Sequence, residues 1–197
     1  MSVAAWIVLG LVVVVVLWAV SAYNRLVELR NRIANAFGQI DVQLKRRYDL
    51  IPNLVEVARG YLQHEASTLE AVIQARGQAQ GAAAAARVAP TNAGAVGALA
   101  VAEGALGASL GRLMVVSERY PELKADATMQ SLSEELASTE NRVGFSRQAF
   151  NDQVLEFNNA AQQFPTLIVA RLANFTPAAM LESTRSEEER AAPQVKF

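Results

Sequence analysis

The chain has 197 residues, no cysteine and one histidine, His64. Without cysteine there are no disulfides and no thiol chemistry, although the redox compartment stays open. With one histidine as well, a zinc site would have to rest on carboxylates alone, an improbable donor set. His64-Glu65 begins like a zincin motif, but position 68 is threonine and the second ligand is missing. His64 therefore reads as a solvated or capping side chain on a helix. No nucleophile elbow and no Gly-rich phosphate loop ending in Gly-Lys-Ser/Thr is present. Gly104, Gly107 and Gly111 lie in a helix-like stretch with no strand before them. Neither sign of charge dominates: 18 basic and 19 acidic residues leave a net charge of −1, which argues against nucleic acid as a partner. Aromatic residues make up only 7%, and the period-2 alternation of strands is absent. These absences leave no expected catalytic, cofactor-binding or metal-binding residue, and an enzyme is the least supported class.

What the chain does have is one long apolar run. Val3 to Val20 is uncharged and almost wholly apolar, and no charge appears until Arg25. That reaches the roughly 20 residues needed to cross a hydrocarbon core of ~30 Å. Trp6 and Trp18 stand near its ends and Tyr23 at its exit, where aromatic belts form. Val20-Ser21-Ala22 is a passable cleavage site. No basic residue precedes the run, however, and the run exceeds a signal-peptide core, so a retained anchor is expected. Arg25, Arg30 and Arg32 follow at once. The positive-inside rule then places the N-terminus outside and the bulk of the chain in the cytoplasm.

Beyond the anchor the composition favours helix, and apolar residues recur at coiled-coil spacing. Leu26, Ile33 and Ile40 fall seven apart, flanked by Leu29, Phe37 and Leu44, in a helix expected from Tyr23 to Tyr48. Asp49-Leu50-Ile51-Pro52 reads as a restart, with Asp49 and Asn53 as capping groups and Pro52 in a first turn. The second helix, through Leu54, Leu62, Leu69 and Ile73, is expected to decay in the Gly77–Gly81 and Ala82–Ala86 stretch. Pro90-Thr91-Asn92 is the clearest turn. A third helix carries leucines at 99, 106 and 113 beside Val96 and Leu110, and stops before Pro121. The fourth is the strongest signal: Met129, Leu136, Val143, Phe150, Phe157 and Phe164 fall seven apart, with a weaker column of Leu132, Thr139, Ser146, Gln153 and Ala160. A strict seven-residue stripe stays inward only in left-handed supercoiling helices, and a polar companion column suits a bundle. From Ala125 to Phe164 this helix would be about 60 Å long.

The remaining motifs read blandly. Lys45-Arg46-Arg47 complements the dipole at a helix C-terminus, since it stands too far from the bilayer exit to touch lipid. Glu140, Asn141 and Arg142 read as surface or interhelical pairing, with a polar specificity device as the alternative. Ala100, Gly104, Gly107, Ala108 and Gly111 form a small-residue face suited to close helix approach. Pro165 introduces a short apolar stretch, Leu167 to Ala170, too short to span.

These motifs together resemble the LemA family. The likeness is carried by Arg47-Tyr48-Asp49-Leu50-Ile51-Pro52-Asn53-Leu54-Val55-Glu56, by Gly60-Tyr61 with His64-Glu65, and by Glu118-Arg119-Tyr120-Pro121-Glu122-Leu123-Lys124. Thr139-Glu140-Asn141-Arg142, Phe150-Asn151, Phe164-Pro165 and the terminal Pro-x-Val-x-Phe complete it, so that it covers Tyr23 to Phe197. Phe150 stands where the family usually has tyrosine, and Met129 and Leu181 where it has phenylalanine; these are apolar exchanges. The resemblance implies a membrane-anchored helical protein with a cytoplasmic domain and no established enzymatic activity. At least one relative takes part in magnetosome membrane formation.

The expected fold is all-α: an N-terminal transmembrane helix followed by an antiparallel bundle of about four long helices. Residues 1–24 are the anchor, 25–181 the bundle and 182–197 a charged tail. The expected role is a membrane scaffold, with the lipid bilayer and further copies of the chain as partners and no cofactor. The alternative is an accessory subunit of a membrane enzyme such as a protease, with the segment after Pro165 and the tail as docking elements.

Overall fold

The computed structural model describes residues 2–182. The Pro-x-Val-x-Phe motif and the charged tail, save Glu182, lie outside them. Six helices follow one another: α1 Val3–Tyr61, α2 Ala66–Val88, α3 Ala93–Ser117, α4 Pro121–Ala125, α5 Ala127–Gln162 and α6 Thr166–Leu172. No strand occurs among the described residues. Four helices are long and run antiparallel in a bundle, α1 against α5 and α2, and α2 against α3.

α1 has 59 residues, about 90 Å of unbroken helix at 1.5 Å per residue. Its most apolar window has a mean hydropathy of 2.9 and none of it is covered by protein. Burial begins at Ala22 and then follows one seam: Leu26, Leu29, Ile33, Phe37, Ile40 and Leu44, all of which the seven-residue spacing predicts. The anchor and the first bundle helix are thus one element. α3 is also apolar enough for the same test, at a mean hydropathy of 1.5, but a third of that window is buried. Its apolar side packs on α2.

The expected restart at Asp49–Pro52 does not occur, and α1 runs through Pro52. Proline removes the N–H that would bond the Tyr48 carbonyl one turn back. Here the Arg76 guanidinium replaces that donor, its Nε 2.7 Å from the Tyr48 oxygen. Asp49 and Asn53 are therefore exposed mid-helix residues, not caps. The true break lies at Leu62–Glu65, so His64 sits exposed in a turn instead of on a helix.

α2 does not decay either. Alanine is the best helix former, and Ala75, Ala79, Ala83 and Ala86 are buried one turn apart. They offer a smooth face to the larger Leu99, Leu106 and Leu113 of α3, which are buried too. The turn at Pro90–Asn92 forms as expected, and the Asn92 side chain accepts the Ala95 N–H at 2.9 Å to cap α3. Asp126 caps α5 in the same way, accepting from Thr128 and Met129 N–H, each at 2.9 Å. The Met129 N–H first, then the Tyr61 hydroxyl and Thr128, hold its carboxyl below the usual range.

On α5, Met129, Val143, Phe150 and Phe157 are buried and Leu136 is half-buried. Phe150 meets Phe37 edge-on, ring centres 5.8 Å apart. The column ends one step early: Phe164 is 80% exposed, because α5 stops at Gln162 before Pro165. After α6 the chain turns back along α5 in non-helical form to Glu182.

Candidate functional site

The heptad columns that build the core are interrupted by charge at two places. In α1 the column Leu26, Ile33, Ile40 continues to Arg47 and then Leu54. In α3 the column of Val96 and Leu110 has Glu103 at its midpoint. The fold brings both together inside the bundle, the Arg47 side chain 7% exposed and Glu103 16%. Arg47 Nη1 donates to Glu103 Oε2 at 2.7 Å, and its Nη2 to Glu140 Oε2 on α5 at 2.9 Å. The Tyr48 hydroxyl donates to the other Glu103 oxygen at 2.5 Å. One guanidinium thus ties α1, α3 and α5 together, and the Arg76 bond to the Tyr48 carbonyl adds α2.

The electrostatics follow from burial. Desolvation pushes the Glu103 carboxyl above its ordinary value, while Arg47 and the Tyr48 hydroxyl pull it back and Glu140 adds to the rise. The Tyr48 phenol is pushed up as well, by burial first and then by the charge of Glu103. Arg47 Nε and Gln43 Oε1 are buried without a hydrogen-bond partner among the described residues.

Above this cluster lies a groove. α3 and α5 form the loosest edge of the bundle, and a cavity of about 500 Å³ opens between them. Its floor is Ile40, Leu44 and Arg47, its walls are Gly104 and Gly107 of α3 and Val143 and Arg147 of α5, and Leu181 and Glu182 close one end. The lining holds no serine, cysteine, histidine or lysine, and Arg47, Glu103 and Glu140 are engaged with one another. Such a site presents shape, an apolar floor and a charged rim.

The segment that reaches this groove is held by two amides of α5. Asn158 accepts the Ala178 N–H at 2.9 Å and donates to the Ala178 carbonyl at 2.9 Å. Asn151 does the same for Leu181, at 2.8 and 3.2 Å.

Several readings change here. Lys45-Arg46-Arg47 is not at a helix end; Lys45 and Arg46 are exposed, and Arg47 faces inward. Of Glu140, Asn141 and Arg142, Glu140 makes the interhelical pair while the other two are exposed. The small-residue face carries no close helix approach: Gly104, Ala108 and Gly111 are exposed, and an added Cβ at Gly111 would meet nothing within 4 Å. At Gly107 the nearest atom would be Arg47 Nη2 at 4.0 Å. Ala100, Gly104, Gly107 and Ala108 wall the groove instead. Glu103, the Tyr48 hydroxyl, Arg76 and Asn158 were not singled out by sequence reasoning. Glu103 and Arg47 were detectable as charges seven residues from apolar neighbours on both sides. Among the described residues no group of three or more His, Cys, Asp and Glu side chains is placed to hold a metal.

Comparison with known proteins adds two findings. The family model described as the LemA family matches residues 36–197. The magnetosome protein MamQ of Magnetospirillum gryphiswaldense is 33% identical over 82 residues, which make up 42% of this chain and 30% of MamQ. The chain therefore aligns with less than a third of that relative, and the family match begins inside the bundle, beyond the apolar run.

Proposed function

The chain belongs to the LemA family, and from that premise we propose that it is a non-enzymatic, membrane-anchored scaffold that self-associates and organises membranes or membrane-protein complexes. The observation that carries this reading is the continuity of α1. A span and a bundle made from one helix cannot swivel freely about each other, so the bilayer fixes the bearing of the bundle. An anchor in the plane of the membrane also raises the effective concentration of copies. We place the N-terminus outside and the bundle in the cytoplasm, from Arg25, Arg30 and Arg32 after the span. The likeness to a magnetosome protein supports a role in membrane organisation. The test is chemical crosslinking in native membranes across a range of expression levels. Oligomers that persist at the lowest level are expected; monomers throughout would refute self-association.

A second reading, an accessory subunit of a membrane enzyme, is favoured by the open groove between α3 and α5, which has an apolar floor and charged rim. Pull-down of the full chain from detergent should then recover a stable membrane partner, and the absence of one would count against it.

A further inference from the structure

α6 and the turn before it carry large apolar side chains with little protein on them. Phe164 is 80% exposed, Ile168 50% and Leu172 82%. Ile168 and Leu172 stand four apart on one face of α6, Phe164 stands in the turn just before it, and Ala170 points inward and is buried. Single exposed apolar residues are ordinary, but three large ones within nine residues, two on α6 and one in the turn before it, are not.

The height of α6 gives this face its meaning. α6 packs on both α1 and α5. Thr166, at its start, shares a cavity wall with Arg25. Phe175, just past its end, meets Tyr23 edge-on at 5.7 Å and lies under the Arg30 guanidinium at 5.4 Å. α6 is thereby held beside Tyr23 to Arg30, the first turns of α1 beyond the apolar run. Exposure on that run falls toward this end: Trp18 is 37% exposed against 61% for Trp6. Arg25 and Arg171 are both exposed.

We propose that α6 is a membrane-surface foot: Phe164, Ile168 and Leu172 enter the boundary between headgroups and acyl chains of the bilayer that α1 crosses, with Arg25 and Arg171 against anionic headgroups. The proposal rests on the membrane-anchor part of the function proposed above. Lipid is the occupant because the face adjoins the point where the span leaves the hydrocarbon, so it is continuous with a surface already in lipid. A second copy fits poorly, since a seven-residue helix cannot offer the ~800 Å² per partner of a standard interface. The foot makes a second attachment beside the span and sets the tilt of the bundle.

The absence of native cysteine makes a clean test possible. Single variants Phe164→Cys, Ile168→Cys, Leu172→Cys, Val14→Cys and Phe145→Cys of the full chain carry an environment-sensitive fluorophore in nanodiscs containing anionic lipid. Phe145, exposed on α5 well up the bundle, is the aqueous reference, and Val14 reports the span. The three foot labels are expected to be blue-shifted and quenched several-fold more by nitroxide lipids labelled near the headgroup than by aqueous iodide, with Phe145 showing the reverse. Iodide quenching at all three matching Phe145, with Val14 still in lipid, overturns the foot and leaves the anchor standing. Iodide quenching at Val14 overturns the anchor itself. Foot labels shielded from both quenchers, and released on dilution into excess lipid, would identify a second copy as the occupant and also overturn the proposal.

Discussion

Lys45 and Arg46 are solvated, while Arg47 is buried between Glu103 and Glu140. Removing one partner of a buried pair leaves an uncompensated charge, a loss of roughly 3–5 kcal/mol. Arg47→Met should show such a loss in denaturant unfolding. Arg47→Met combined with Glu103→Gln should lose far less than the sum of the two, because no lone charge remains buried. Glu103 also sets a pH dependence. Its folded value is raised, so the folded chain holds this proton more tightly than the unfolded one. Its contribution to stability must then fall as pH rises from the ordinary glutamate value, about 4.3, through the raised one. Wild type measured against Glu103→Gln should gain stability as pH falls through that window. The signal for both residues lay in the heptad register. A charge seven residues from apolar neighbours on each side sits in the core or does not sit in that column at all. Tyr48 and Arg76 carried no such mark, since their bonds join helices whose relative height no periodicity encodes.

At the scale of the element, α1 and α5 divide the lesson. Pro52 predicts a helix start from local chemistry alone, and the prediction fails because a side chain 24 positions on supplies the missing donor. Arg76→Met should leave the Tyr48 carbonyl unpaired and reduce stability by about 1–3 kcal/mol. Pro52→Ala in that background restores the backbone N–H and should recover most of the loss in the same unfolding assay. α5 needed no such help, and its seven-residue stripe located Met129, Val143, Phe150 and Phe157 in the core. Phe150→Ala, which empties a fully buried site against Phe37, should cost ~3–5 kcal/mol by chemical denaturation. Phe164 escaped the stripe because Pro165 ended the helix beneath it. The alanine run misled in the other direction: low hydrophobicity resembled a loop, but alanine lets α2 and α3 approach closely.

For the whole molecule, the class of fold and the long apolar N-terminal helix were legible, because both depend on period and length. The groove was not. Which pair of helices stands apart depends on how four apolar faces share one core, and the small residues of α3 fit a tight seam as well as an open wall. Gly107 distinguishes these. In a tight seam Gly107→Leu would force helices apart and lower stability. At the groove wall the side chain has room, so the melting temperature should hold or rise slightly as glycine leaves a helix, while capture of any groove-bound partner is lost in pull-down.

The amides of Asn158 and Asn151 work as a vernier. Seven helical residues advance about 10.5 Å, and the three residues from Ala178 to Leu181, drawn out, advance about 10 Å. Two scales of different pitch coincide at these two marks. One residue inserted between them would shift the second mark by a whole division, so the chain's last approach to the groove is gauged by α5.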